Sequence, residues 1–170
     1  MRKILILALV FFHYLAIGQV TVNPKIKRKS TNDVFIKKVE ITAKETIVWM
    51  SFVSKSKKEM MEDYLNQNPD VKDQLKRVNP MMRKLYLEQM ADNMLSGSTI
   101  SFQPNSYIKG SNGKKFNMKR TEDIPVSPKR LEAEYGRTYN FKVIFEKLPA
   151  GIELIDLVEY NKDHENTFTF

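Results

Sequence analysis

Few residues of this 170-residue chain have types that could do chemistry, and their spacing does not suit it. Cysteine is absent, which removes thiolate nucleophiles, thiolate metal sites and disulfides. The two histidines are His13, inside an apolar leader, and His164, between Asp163 and Glu165 near the end. One histidine outside the leader leaves histidine triads, two-histidine zinc sites and histidine-carboxylate iron sites without enough members. Carboxylates can work in pairs alone, and Asp156 with Glu159 is the first pair to test. On a strand, a separation of three points them to opposite faces. Glu132 and Glu134 would share a face if extended, but Pro128 before them and Gly136 after them point to a loop carrying exposed charge. The run Gly110-Ser111-Asn112-Gly113-Lys114 is too short for a phosphate loop, and no helical pattern follows. Asn112-Gly113, between Tyr107-Ile108 and Phe116, reads as a hairpin turn with positive φ at both central positions. No catalytic, cofactor or metal residue is assigned.

The first eighteen residues read as an export signal. Arg2 and Lys3 precede the apolar run Ile4 to Ile17, and Ala16 and Gly18 are small residues placed for a cut before Gln19. Fourteen residues at about 1.5 Å each cover roughly 21 Å, short of the ~30 Å hydrocarbon layer. Residues 1–18 are therefore expected to be a cleaved signal peptide, and the rest periplasmic or released. No later stretch is apolar enough to span a bilayer. The whole chain has a formal charge of +8, and without Arg2 and Lys3 it has 26 basic against 20 acidic groups, or +6.

Residues 19–32 carry Pro24 and the basic cluster Lys25, Lys27, Arg28 and Lys29, and are expected to form a basic extended arm. Such a cluster is either a solvated leader into the first strand or a contact for anionic lipid headgroups or acidic surface polymers. Nucleic acid is excluded as a partner, since export separates the two and no recognition motif occurs.

From Val34 the pattern becomes strand-like. Val34–Thr42 is rich in β-branched residues, and a turn near Ala43 to Glu45 joins it to a strand apolar on both faces, with Ile47, Trp49 and Val53 against Val48, Met50 and Phe52. Thr99–Gln103 and Tyr139–Glu146 alternate, the latter with Ile144 breaking its polar side, and Ile152–Tyr160 and Thr167–Phe170 add further strands. Six to eight short strands suggest an antiparallel sandwich occupying residues 33–170.

Residues 54–96 differ in character and read as an insertion of two or three helices. Asn68-Pro69 and Asn79-Pro80 each fit an N-cap followed by proline in the first turn. Apolar stripes run through Met60, Met61, Tyr64 and Leu65, through Val71, Leu75 and Val78, and through Met82, Leu85, Tyr86, Met90 and Met94. Six of the nine methionines lie here. Methionine fills irregular seams and adaptable partner surfaces alike, so the stripes either pack on the sheet or bind a partner. Candidate partner-binding residues are Met60, Met61, Tyr64, Met82, Tyr86, Met90 and Met94.

The order Lys38-Val39-Glu40, Ile100 to Pro104 with Tyr107-Ile108, Gly113-Lys114-Lys115, Ile124-Pro125, Phe141 to Phe145 with Leu148-Pro149, and Ile155 to Glu159 resembles an uncharacterised family of exported immunoglobulin-like domains of Bacteroidota-type bacteria. The resemblance covers residues 34–53 and 98–170. It implies an immunoglobulin-like β-sandwich, export, and a role in adhesion or assembly at the cell envelope, and it carries no catalytic residue. The helical insertion and the short closing strand depart from that pattern. The expected function is a non-enzymatic binding module for a protein or envelope polymer, of unknown oligomeric state. Alternatives are a carboxylate-dependent hydrolase or lyase, or a protein held weakly at an anionic membrane surface by the insert.

Overall fold

The structure, a computed structural model, describes residues 18–94, 98–149, 151–152, 154–160 and 165–169. The apolar leader up to Ile17, His164 and Phe170 lie outside the described residues. The strands are β1 (Gln19–Val22), β2 (Arg28–Lys29), β3 (Val34–Ile41), β4 (Glu45–Val53), β5 (Ser98–Ile100), β6 (Tyr107–Gly110), β7 (Lys115–Glu122), β8 (Leu131–Ala133), β9 (Thr138–Glu146), β10 (Ile155–Tyr160) and β11 (Glu165–Thr169). Helices α1 (Lys57–Gln67), α2 (Pro69–Lys76) and α3 (Pro80–Met94) fall between β4 and β5. Nine strands form one antiparallel ladder in the order β1-β3-β4-β9-β7-β6-β10-β11-β2, and β5 pairs with β8 separately. The protein is thus mainly β, with an α insertion.

The ladder curls because β7 serves two neighbours. Its first residues, Lys115 to Asn117, pair with β6, and Met118 to Glu122 pair with β9 past an irregularity between Met118 and Arg120. A bulge of this kind lets a strand turn from one sheet into another. Both arms then close on one core, with Val48, Met50, Phe141, Val143 and Phe145 from one side and Ile108, Phe116, Ile155 and Leu157 from the other.

Burial along β4 alternates from Glu45 to Met50, so the second face is only partly covered where the doubly apolar pattern predicts cover on both. Thr46, Val48 and Met50 face the core, and the buried Thr46 hydroxyl accepts a hydrogen bond from the Leu148 amide at 2.9 Å. The opposite face of the sheet carries two cross-strand rows set by register. One is Glu122, Lys142, Trp49 and Lys38, and the other is Arg120, Ile144, Ile47 and Glu40. The Lys38 and Lys142 ammonium groups lie 4.2 and 4.5 Å from the Trp49 ring, a cation–π sandwich. Lys142 also pairs with Glu122 at 2.8 Å, and the Arg120 guanidinium forks onto both Glu45 oxygens. These long side chains roof the outer face with their stems. Ile144, the apolar exception on the polar side of β9, is consequently fully buried.

The segment expected to be a basic extended arm is partly woven into the ladder. Gln19–Val22 pairs with β3 as an edge strand, all four residues exposed, and Arg28–Lys29 pairs with β11. Residues 132–133, expected in a loop, belong to β8, although Glu134 lies beyond it. The hairpin at Asn112-Gly113 forms with a different turn. Only Gly113 has positive φ, and its amide donates to Gly110 O, which describes a type I turn followed by a left-handed residue.

The helices start where local chemistry dictates. Ser56 and Glu59 make a reciprocal capping box at α1, and the Asn79 side chain accepts from the Met81 amide at α3. Asn68 differs from expectation, because its side chain makes no bond to α2. Its side-chain amide and its backbone N–H both donate to Tyr64 O, closing α1 instead.

Replacing Ile144 with Ala is expected to cost about 2–5 kcal/mol in urea unfolding, despite its outward direction, because its full burial leaves a cavity under the charged roof. Acid should weaken the same face. Hydrogen bonding from Arg120 holds Glu45 below its ordinary value, and hydrogen bonding from Lys142 does the same for Glu122. A carboxylate lowered by folding contributes stability above its unfolded pKa and loses it as pH falls through the folded value. Glu45→Gln with Glu122→Gln should therefore flatten the loss of stability below about pH 4.5, measured as thermal midpoint against pH.

Candidate functional site

The helical insert stands apart from the sheet. α1 packs against α2 and against α3, and the principal contacts of the three helices are with one another. Its tie to the rest is local: Gly136 N donates to Lys55 O, and the Lys57 ammonium lies 5.9 Å from the Tyr135 ring. Among the described residues no side chain of the three helices joins the core that the strands share, so the seam of methionines between insert and sheet, one of the two readings of the stripes, is not seen there.

The expected partner-binding residues divide by burial. Met61 is buried against α3, whereas Met60, Tyr64 and Met90 are half-buried. Met82 and Tyr86 are exposed, and the Met94 side chain lies outside the described residues. Met81, which the helical spacing left aside, is the most exposed of the described large apolar residues at 83%. Leu85 beside it is half-exposed. The signal that could have found Met81 is the doubling Met81-Met82 directly after the Asn-Pro cap, where a first-turn residue has no preceding turn to cover it.

Two hollows lie between the helices. One, of about 620 Å³, separates α1 from α3 over a floor of Met61, Leu65, Leu87 and Ala91. Lys57 and Asp92 bridge the two helices at its rim. A smaller one, about 200 Å³, lies between Leu75 and Val78 on one side and Met82 and Tyr86 on the other. Among the described residues of these helices, Met61, Leu75 and Ala91 are the buried apolar ones. α3 is apolar around most of its circumference, a pattern typical of helices covered on every side.

Three of the basic candidates, Lys27, Arg28 and Lys29, line one hollow of about 320 Å³ with Val34 and Phe35. Lys25 and Lys27 line a hollow of about 240 Å³ with Ile152 and Leu154, while Lys29 turns toward Phe35, its ammonium 5.1 Å from the ring. Arg28 and Lys29 are exposed members of β2.

Asp156 and Glu159 do face opposite ways on β10. Glu159 lies on the face of Ile155 and Leu157 and accepts from the Gln103 amide at 3.2 Å. It is the one carboxylate lining a hollow of about 380 Å³ with Thr99, Ser101 and Arg130. Among the described residues no group of three His, Asp or Glu side chains is placed to hold a metal ion, and no helix is long and apolar enough to cross a membrane.

Comparison with protein-family models, with curated proteins and with solved structures gives no match to this chain. The site is therefore defined by its own exposure and charge. Leu85→Ala should change stability by less than about 1 kcal/mol, as for a surface position, whereas Met61→Ala should cost about 2–5 kcal/mol. Urea unfolding of both variants checks the contrast.

Proposed function

We propose that the chain is a non-enzymatic binding module of the cell envelope, exported by its leader, whose β scaffold displays the helical insert to another envelope component. The observation that carries this reading is the placement of Met81, Met82, Leu85 and Tyr86. These are large apolar side chains, at least half-exposed or nearly so, on an element whose principal contacts are internal. Leaving them in water forgoes burial worth about 1.5–3 kcal/mol for each large side chain, and contiguous exposed apolar surface marks interaction sites.

The scaffold supports an immunoglobulin-like sandwich as its finer description. With β3, β4, β6, β7, β9, β10 and β11 taken as strands A to G, the ladder contains the runs A-B-E-D and C-F-G. Those are the two sheets of a constant-type immunoglobulin domain. The helices then occupy the B–C connection, at one end of the scaffold, where such domains carry recognition loops.

Immobilised chain, incubated with detergent-solubilised envelope extract, should retain a component that Met82→Asp with Tyr86→Asp loses by at least about tenfold, a change of about 1.4 kcal/mol. Equal retention by both, with both folded by circular dichroism, removes the insert as the binding element.

A further inference from the structure

The corner where α2 turns into α3 combines two properties. The first is an apolar arc. At 3.6 residues per turn, Met81, Leu85, Met82 and Tyr86 span roughly 140° of the α3 circumference. Val78, just before the turn, is exposed beside them. The second is charge. Between Lys72 and Tyr86 five side chains are basic, Lys72, Lys76, Arg77, Arg83 and Lys84, against the single acid Asp73, a surplus of four. Asp73 is already paired with Lys76 at 2.7 Å. Arg83 and Lys84 flank the apolar arc on its two sides.

The corner is also held in shape. Arg83 folds back so that its guanidinium donates to Lys76 O and Val78 O at 3.0 and 3.1 Å, tying the first turn of α3 to the end of α2. The exposed arc is thereby presented by a braced bend rather than by a loose loop.

An acidic polymer would satisfy the cations and leave Met81 and Leu85 in water. A protein groove would have to supply an apolar cleft with an acidic rim fitted to this bend. A bilayer bearing anionic headgroups offers both chemistries at once, with negative phosphates above an apolar layer that deforms around a small wedge. We propose that the α2–α3 corner is a membrane-surface anchor, seating Met81, Met82, Leu85 and Tyr86 at the headgroup–acyl boundary of an anionic bilayer with Arg77 and Lys84 at its phosphates. This rests on the reading of the insert as the binding element and names what it binds.

The absence of cysteine allows a local test. Processed chain beginning at Gln19 and carrying Met81→Cys, labelled with an environment-sensitive fluorophore, is titrated with phosphatidylcholine vesicles with or without phosphatidylglycerol. Lys114→Cys, on the β6–β7 turn, carries the same label as a control. The expected result is a blue shift at position 81 with anionic vesicles alone and none at position 114. Arg77→Glu with Lys84→Glu in the labelled chain should weaken the anionic-vesicle response at least about tenfold, as should raising salt from about 0.1 M to about 0.5 M. Circular dichroism of each variant confirms that it is folded. A label at 81 that stays in water at every lipid composition, or that shifts equally on uncharged vesicles, overturns the proposal. If it does so while the chain still retains an envelope component that Met82→Asp with Tyr86→Asp loses, the lipid assignment falls and the binding-module reading stands.

Discussion

Nine consecutive residues of β4 pair with nine of β9 without a slip, from Glu45 opposite Glu146 to Val53 opposite Thr138. A slip of β4 by one residue would turn Val48 and Met50 outward and bring Trp49 into the core, and a slip of β9 would turn Phe141, Val143 and Phe145 outward and bring Lys142 in. Register here is thus set by both faces together. The inner face rewards it with burial, and the outer face rewards it with the alignment of Trp49 between two ammonium groups and of Arg120 across to Glu45. The curl adjoins the same pairing, because the second half of β7 pairs with β9 and its first half with β6.

Much of this was legible from the residues. The doubly apolar pattern of Ile47 to Val53 marked β4 as central, and Asn112-Gly113 marked a hairpin. Ile144 stood out as an exception without an explanation, since its cover consists of charged side chains from other strands, which no local pattern reveals. The short strands β1, β2 and β8 were hidden for a similar reason. Gln19–Val22 and Arg28–Lys29 are extended because a neighbour accepts them, and basic residues beside a proline give no strand signal of their own. Asn68 misled in the opposite sense: its motif fits an N-cap, but the carbonyl of Tyr64 lies closer to hand. At the candidate site, the spacing rule found the stripes and missed Met81, because helical periodicity ranks faces and does not tell how far the neighbouring helix reaches.

The insert and the sheet also differ in how they are stabilised. Six strands of the ladder, together with β5 and β8, share one core, whereas the helices bury few large side chains and enclose unfilled hollows. Regions with few buried apolar contacts open at lower free energy than the domain as a whole. Amide exchange in α1 to α3 is therefore set by local opening, and a surface that covers α3 slows it without touching a strand.

The edge strand β1 carries a related consequence. Gln-Val-Thr-Val holds no charge, no proline and no bulge, and among the described strands β3 alone pairs with it. Such an edge is a template for another strand, and proteins commonly guard it with a lysine or a kink. Here the nearest guard is collective: a chain with 28 basic and 20 acidic groups repels its own copies over about 10 Å in moderate salt. Colloidal behaviour is in this way delegated to the molecule's total charge, and a polyanion that neutralises it exposes β1 to strand-by-strand accretion.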